Sequence, residues 1–272
     1  MYEAEISRAN PACIVFLIDQ SSSMRATMPS TTQSKQMAVA DAINSMLREL
    51  IIRCARGIDE IWDFFYVSVI GYGATVGPAL GGPLTGQDLV PASALAQGRI
   101  RTERSTRAEL LPDGTTTTHV AEIPIWLEAA ASSGTPMCEA LEYARKVVDR
   151  WVGEHPSSFP PIVLNLTDGE STDGDPVGPA QKLRSLGTMD GSALLFNLHI
   201  ASDIAHPKSY PSTAAGLPPA GAKLFSISDV LPPDMRDTAA DLGIPVEPGA
   251  RGFVFNASMK SVMLFLDVGT PA

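Results

Sequence analysis

The stretch "IVFLIDQSSSM", residues 14–24, runs five apolar residues into an aspartate and then sets oxygen-bearing side chains at alternate positions, Asp19, Ser21 and Ser23. That spacing lets both hydroxyls face one point beside the carboxylate. Two more oxygen donors stand where apolar stretches give way to polar loops: Thr135, just ahead of Pro136, and Asp168, inside "LTDGES" at 166–171. Two carboxylates and three hydroxyls converging on one spot form an all-oxygen site. Hard divalent cations such as Mg²⁺ prefer that chemistry, with waters completing the shell, whereas softer metals want His or Cys. The histidines, His119, His155, His199 and His206, are scattered without metal-ligand spacing, and His199 reads as a core or edge residue of a strand.

Each donor also has a plainer reading. Asp19 with its serines can make a turn and helix cap without any metal. Thr135 can N-cap the helix that Pro136 opens, a role compatible with offering a lone pair to a cation. Asp175 before Pro176 reads as an N-cap, while Glu170 and Asp173 read as the rim of the site. The glycines of "GYGATVGPALGGP" (71–83) lack the Gly-Lys-Ser/Thr ending of a phosphate loop and suit turns and bulges.

These donors need strands to carry them to a common edge. "CIVFLID" (13–19), "FFYVSVIGYG" (64–73), "PIVLNLTDG" (161–169) and "ALLFNLHIAS" (193–202) are apolar on both faces, as strands of a parallel sheet are. "KLFSISDV" (223–230) is expected as a fifth. Helical periodicity runs through 34–55, where Met37, Ala40, Ile43, Met46 or Leu47, Leu50, Ile51 and Cys54 share a face, and Ser30 with Gln33 offers a capping box upstream. Further helices are expected over 138–151, 176–187 and 258–268. The alternation predicts a doubly wound α/β fold: a mostly parallel sheet, helices on both faces, and one antiparallel edge strand. In such a sheet ligands bind outside the carboxyl ends of the strands, where Asp19 and Asp168 fall. A Gly/Pro/Thr/Arg-rich segment at 74–125 is expected as an edge strand and hairpins on one rim. Residues 203–222 read as a Pro/Ala/Gly loop. No linker splits the chain, so 1–272 is taken as a single domain.

The chain has 272 residues with 44% hydrophobic and 18% charged content and a formal net charge of −10. That balance speaks against a nucleic-acid partner, which needs clustered Lys and Arg. The one basic cluster, Arg99, Arg101, Arg104 and Arg107, reads as a solvated loop or hairpin face. No apolar run approaches the roughly 18 residues of a membrane span, and "MYEAEISRANPA" shows no secretory signal. Three cysteines, Cys13, Cys54 and Cys138, give no disulfide framework, and a cytoplasmic setting is expected. The glycosylation-like patterns at Asn165 and Asn256 are then chance.

"DQSSS" (19–23), "GTPMCEAL" (134–141) and "LTDGES" (166–171), in that order, resemble the three loops of the metal-ion-dependent adhesion site of von Willebrand factor A domains. The resemblance implies a Rossmann-like fold and a non-catalytic protein–protein interaction module. It implies direct contact of Ser21, Ser23 and Thr135 with Mg²⁺ (or Mn²⁺ or Ca²⁺), while Asp19 and Asp168 act through water. The open coordination position would then take an Asp or Glu from a partner protein. "FYVSVI" (65–70) and "LTDGESTD" (166–173) are similar to the tellurium-resistance-associated members, which implies a bacterial stress or conflict system with kinase or phosphatase partners. Two other readings stand beside it. One is a Mg²⁺-dependent phosphohydrolase using Asp19 as nucleophile, although Ser21 stands where such sites carry a second acid, and Lys146 and Lys182 lie inside helices. The other is a scaffold with a vestigial site that works through 74–125.

Overall fold

The computed structural model describes residues 2–57, 60–110, 116–200 and 207–270, with backbone alone for 105–110 and 116–121. His206 and the side chains of His119 and Arg107 therefore lie outside the described residues, as does 203–206 of the expected loop.

Eight strands form one sheet: β1 (Ala12–Asp19), β2 (Phe65–Tyr72), β3 (Val76–Pro78), β4 (Val90–Pro91), β5 (Ile162–Thr167), β6 (Leu194–Ile200), β7 (Lys208–Ser209) and β8 (Phe253–Ala257). Its order is β7-β8-β6-β5-β1-β2-β3, with β4 also pairing β2. β1 lies centrally, parallel to β2 (Ala12 opposite Phe65, Asp19 opposite Tyr72) and to β5 (Ile14 opposite Ile162, Ile18 opposite Leu166). β6 continues the parallel run from β5, and β8 from β6.

The helices are α1 (Lys35–Cys54), α2 (Ala92–Gln97), α3 (Met137–Glu154), α4 (Val177–Arg184), α5 (Pro219–Ile227), α6 (Pro233–Asp241) and α7 (Met259–Gly269). The side-chain alternation of β1 divides the interior in two. Ile14, Phe16 and Ile18 join the core under α1 and α7, whereas Cys13, Val15 and Leu17 join the one under α3, α4 and α5. All six are buried, and each large aliphatic or aromatic side chain so placed is stabilising by roughly 1.5–3 kcal/mol. Helices thus cover both faces, the doubly wound arrangement expected.

Several elements differ from the expectation. "KLFSISDV" is not a strand: α5 occupies 219–227, opened by Pro218 and Pro219, and its buried Gly221, Leu224 and Phe225 fall at helical spacing. The fifth parallel strand is β8, beside β6. The Pro/Ala/Gly loop gives way to α5 at Pro219. Antiparallel strands lie on both edges, β3 and β4 against β2 and β7 against β8, rather than on one. On α1, Met37 is 51% exposed and Lys35 is buried in its place. No capping box forms, since Ser30 sits at φ 61° and the N-cap is Ser34 without a side-chain bond.

The 74–125 segment does form edge strands and a hairpin, Arg101–Leu110 against Thr116–Ile125, together with the short α2. The hairpin base is a solvated charged face: Arg101 pairs with Glu103 and Glu128, and Arg104 with Glu122 at 3.7 Å. Behind it, Asn44 of α1 accepts from the backbone N–H of Trp126 (2.9 Å) and of Leu127 (3.0 Å) and donates to the Leu127 carbonyl (2.9 Å). Among the described residues no helix is long and apolar enough to cross a membrane.

Candidate metal centre

β1 and β5 are adjacent, yet the chain leaves them in opposite directions: β1 continues through α1 to β2, and β5 through α4 to β6 on the other side. α1 and α4 pack on opposite faces of the sheet, so a crevice opens at the carboxyl ends of β1 and β5.

Asp19, the last residue of β1, is 1% exposed. Its Oδ1 accepts the Ser21 N–H at 2.8 Å and its Oδ2 accepts the Thr167 hydroxyl at 2.6 Å. Burial pushes the Asp19 carboxyl above the usual aspartate range, and the charge of Asp168 adds to the shift. Hydrogen bonds from Ser21 and Thr167 oppose it. The Ser21 and Ser23 hydroxyl oxygens lie 2.9 Å apart, as their alternate spacing required. The Ser23 hydroxyl, on a short 3₁₀ turn at Ser22–Arg25, donates to Asp168 Oδ1 at 2.6 Å. An unbroken run of contacts therefore joins Asp19, Ser21, Ser23 and Asp168. Ser21 is buried and Ser23 is exposed, so the cluster opens to solvent on the Ser23 side.

Backbone hydrogen bonds hold Thr135 between the other two loops. Ser132 N–H donates to the Gln20 carbonyl (2.6 Å) and Ser22 N–H to the Ser133 carbonyl (2.9 Å). Thr135 and Thr172 pair twice, Thr172 N–H to the Thr135 carbonyl at 2.9 Å and Thr135 N–H to Thr172 Oγ1 at 2.9 Å. Thr135 is buried but does not cap α3. Asp173 does so: its two oxygens accept the N–H groups of Cys138 (3.0 Å) and Glu139 (2.9 Å). Glu170 is exposed and lines a small pocket beside the site with Met137, Ser171, Pro176, Lys223 and Leu224. Asp175 accepts from Val177 N–H at 3.3 Å, but the N-cap of α4 is Pro176 and not Asp175 as expected. His199 stacks on Phe255 with ring centres 4.6 Å apart, and His155 on Trp151 at 4.9 Å.

Three participants were not found from the sequence. Thr167 fixes Asp19, and its place directly before Asp168 in "LTDG" was the available signal. Thr172 locks two loops together. Lys35 is the third: its Nζ donates to Asp168 Oδ2 at 2.7 Å, with the side chains of Lys35 and Asp168 only 3% and 0% exposed. It was passed over because a lysine at the head of an amphipathic helix ordinarily faces water.

Among the described residues no three His, Cys, Asp or Glu side chains gather as a metal-ligand group. The donors here are two carboxylates plus hydroxyls, an all-oxygen set of low charge that fits a hard divalent cation retaining part of its water shell.

No protein-family model matches the chain, and no curated protein matches it. Solved structures do. The pilus adhesin SpaC from Lactobacillus rhamnosus GG aligns at a TM-score of 0.51 and 15% identity, over 95% of this chain and 30% of its own. Manganese-loaded Plasmodium vivax TRAP protein aligns at a TM-score of 0.46 and 14% identity, over 99% of this chain and 78% of its own. The fold is von Willebrand factor A-like. This chain spans less than a third of the pilus adhesin's length, and at these identities the likeness is one of fold.

Proposed function

We propose that this chain is a non-catalytic protein-recognition module that holds a divalent cation at its switch-point crevice and captures an acidic side chain of a partner protein. The observation that carries the reading is the contact run Asp19–Ser21–Ser23–Asp168, built from two adjacent strand ends and open to solvent at Ser23. Ser21, Ser23 and Thr135 are the hydroxyls that would touch the ion, and Asp19 and Asp168 would act on it through water. Mg²⁺ suits this set, with Mn²⁺ and Ca²⁺ as alternatives of the same hard character. Bound there, the ion supplies a concentrated positive charge for a partner's carboxylate. The resemblance to tellurium-resistance-associated proteins extends the proposal to a cytoplasmic bacterial stress system with a kinase or phosphatase partner.

The same geometry weighs against Asp19 as a nucleophile. Both of its oxygens are engaged, by Ser21 and Thr167, and it is buried. Lys35, a cation of the kind that balances a phosphate, is equally buried and held by Asp168. Capturing partners on the immobilised chain tests the proposal. Proteins retained in Mg²⁺ should be released by EDTA and absent with Ser21→Ala. Retention at unchanged affinity in EDTA contradicts the metal-bridged mechanism, and turnover of a phosphate ester that fails in Asp19→Asn would replace it with the enzymatic one.

A further inference from the structure

We propose that Lys35 is a built-in counter-ion of this site, which keeps its loops assembled without a metal and makes a bound divalent ion depend on a carboxylate from outside. The inference deepens the metal-site reading and rests on it.

Lys35 is the first residue of α1, and its backbone N–H donates to the Ala26 carbonyl at 2.9 Å, closing the loop that carries Ser21 and Ser23. Its side chain turns inward to the ion pair with Asp168 and is almost wholly enclosed. A lysine is buried to that degree only when paired. The opposite oxygen of the same carboxylate takes the Ser23 hydroxyl at 2.6 Å, so Asp168 stands between an ammonium and a candidate ligand hydroxyl. Asp19 is satisfied separately, by Ser21 N–H and Thr167. Each carboxylate oxygen of the site thus has a donor supplied by the chain itself.

Charge counting gives the consequence. Two carboxylates and one ammonium leave a net charge of −1 among Asp19, Asp168 and Lys35. A divalent ion placed among neutral hydroxyls against a net −1 keeps an unbalanced positive charge, and one further carboxylate completes the balance. With Lys35 neutralised the site alone would balance the ion. It would then hold the ion roughly tenfold more tightly or better, because one unit charge at short range in a partly buried site has an effect of at least that size. The ion's demand for an external acid would fall in step.

The test is Mn²⁺ binding to the full chain, followed by water-proton relaxation, for the wild type, Lys35→Met and Lys35→Gln, each with and without acetate. The expected result is at least a roughly tenfold tighter affinity in both variants and a smaller gain from acetate than in the wild type. A wild type that binds Mn²⁺, beside folded variants that bind it no more tightly, overturns the counter-ion role and leaves the metal site standing. Absence of Mn²⁺ binding in all three proteins at millimolar concentration overturns the metal site and the counter-ion role together. Should both variants fail to fold, the wild type decides through the ¹⁵N resonance of the Lys35 ammonium. That resonance should show slow hydrogen exchange and shift on saturation with Mg²⁺, and an unshifted resonance overturns the proposal.

Discussion

Asp173 holds the first turn of α3 with both carboxylate oxygens, accepting from two backbone N–H groups and from the Ser171 hydroxyl. Partial burial works against its charge, but these bonds outweigh it and hold the carboxyl below the usual aspartate range. A lowered native value means that the charged cap adds stability above the ordinary aspartate pKa of about 3.9 and loses it as pH falls through the native value. Replacing Asp173 with Ala should cost about 1 kcal/mol at neutral pH, typical of a lost helix cap. In urea titrations the difference from the wild type should shrink below about pH 4; a difference that stays constant into acid contradicts the capping role. The sequence offered Thr135 for this end of α3 and read Asp173 as part of the rim. Thr135 had the standard position, yet Asp173 took the role from a different loop, which periodicity along one segment does not reveal.

Single elements are positioned by how closely their backbones approach. Gly73, just beyond β2, is the clearest case: a Cβ there would stand 2.5 Å from the Gln20 carbonyl oxygen and 2.9 Å from that of Ser132. These carbonyls belong to the two loops that carry Ser21 and Thr135. Gly73→Ala should therefore displace both loops, lower stability by at least about 1 kcal/mol and weaken Mg²⁺ binding in calorimetry. Unaltered Mg²⁺ affinity would show that the loops move independently of β2. The second glycine of "GYG" was visible in the sequence, but which carbonyls crowd it depends on the sheet. The misreading of 223–230 has a similar origin. Phe225 and Ile227, alternating with Ser226 and Ser228, mimic a strand, while the prolines at 218 and 219 that start the helix lie outside that window.

At the scale of the whole molecule, Arg101–Leu110 and Thr116–Ile125 form a two-stranded ribbon separate from the main sheet, and the segment after it is tied to α1 where Asn44 receives Trp126 and Leu127. Replacing residues 104–122 with an Asn-Gly turn should leave stability within about 1 kcal/mol of the wild type, since such a turn closes a two-stranded ribbon. Asn44→Leu should cost more, about 2–3 kcal/mol, because it strands buried backbone groups. Thermal unfolding of both variants decides the point; a reversed order would place the anchor in the hairpin. The parallel core was legible because strands buried on both faces are uniformly apolar, and Asp19 and Asp168 sat at its predictable end. Of the antiparallel edges, the one from 74–125 was expected, whereas β7 was not, being two residues long and paired through geometry rather than pattern. Lys35 escaped for a related reason, because its partner lies 133 residues away.

The central claim, that serine hydroxyls and two aspartates at the end of β1 and β5 make a cation site, is tested most directly by titrating the full chain with Mg²⁺ in a calorimeter, beside Ser21→Ala and Ser23→Ala. The account predicts one saturable ion per wild-type chain and at least a roughly tenfold loss of affinity in each variant, with circular dichroism unchanged. No saturable binding to the wild type at millimolar Mg²⁺, or equal binding by all three proteins, would contradict it.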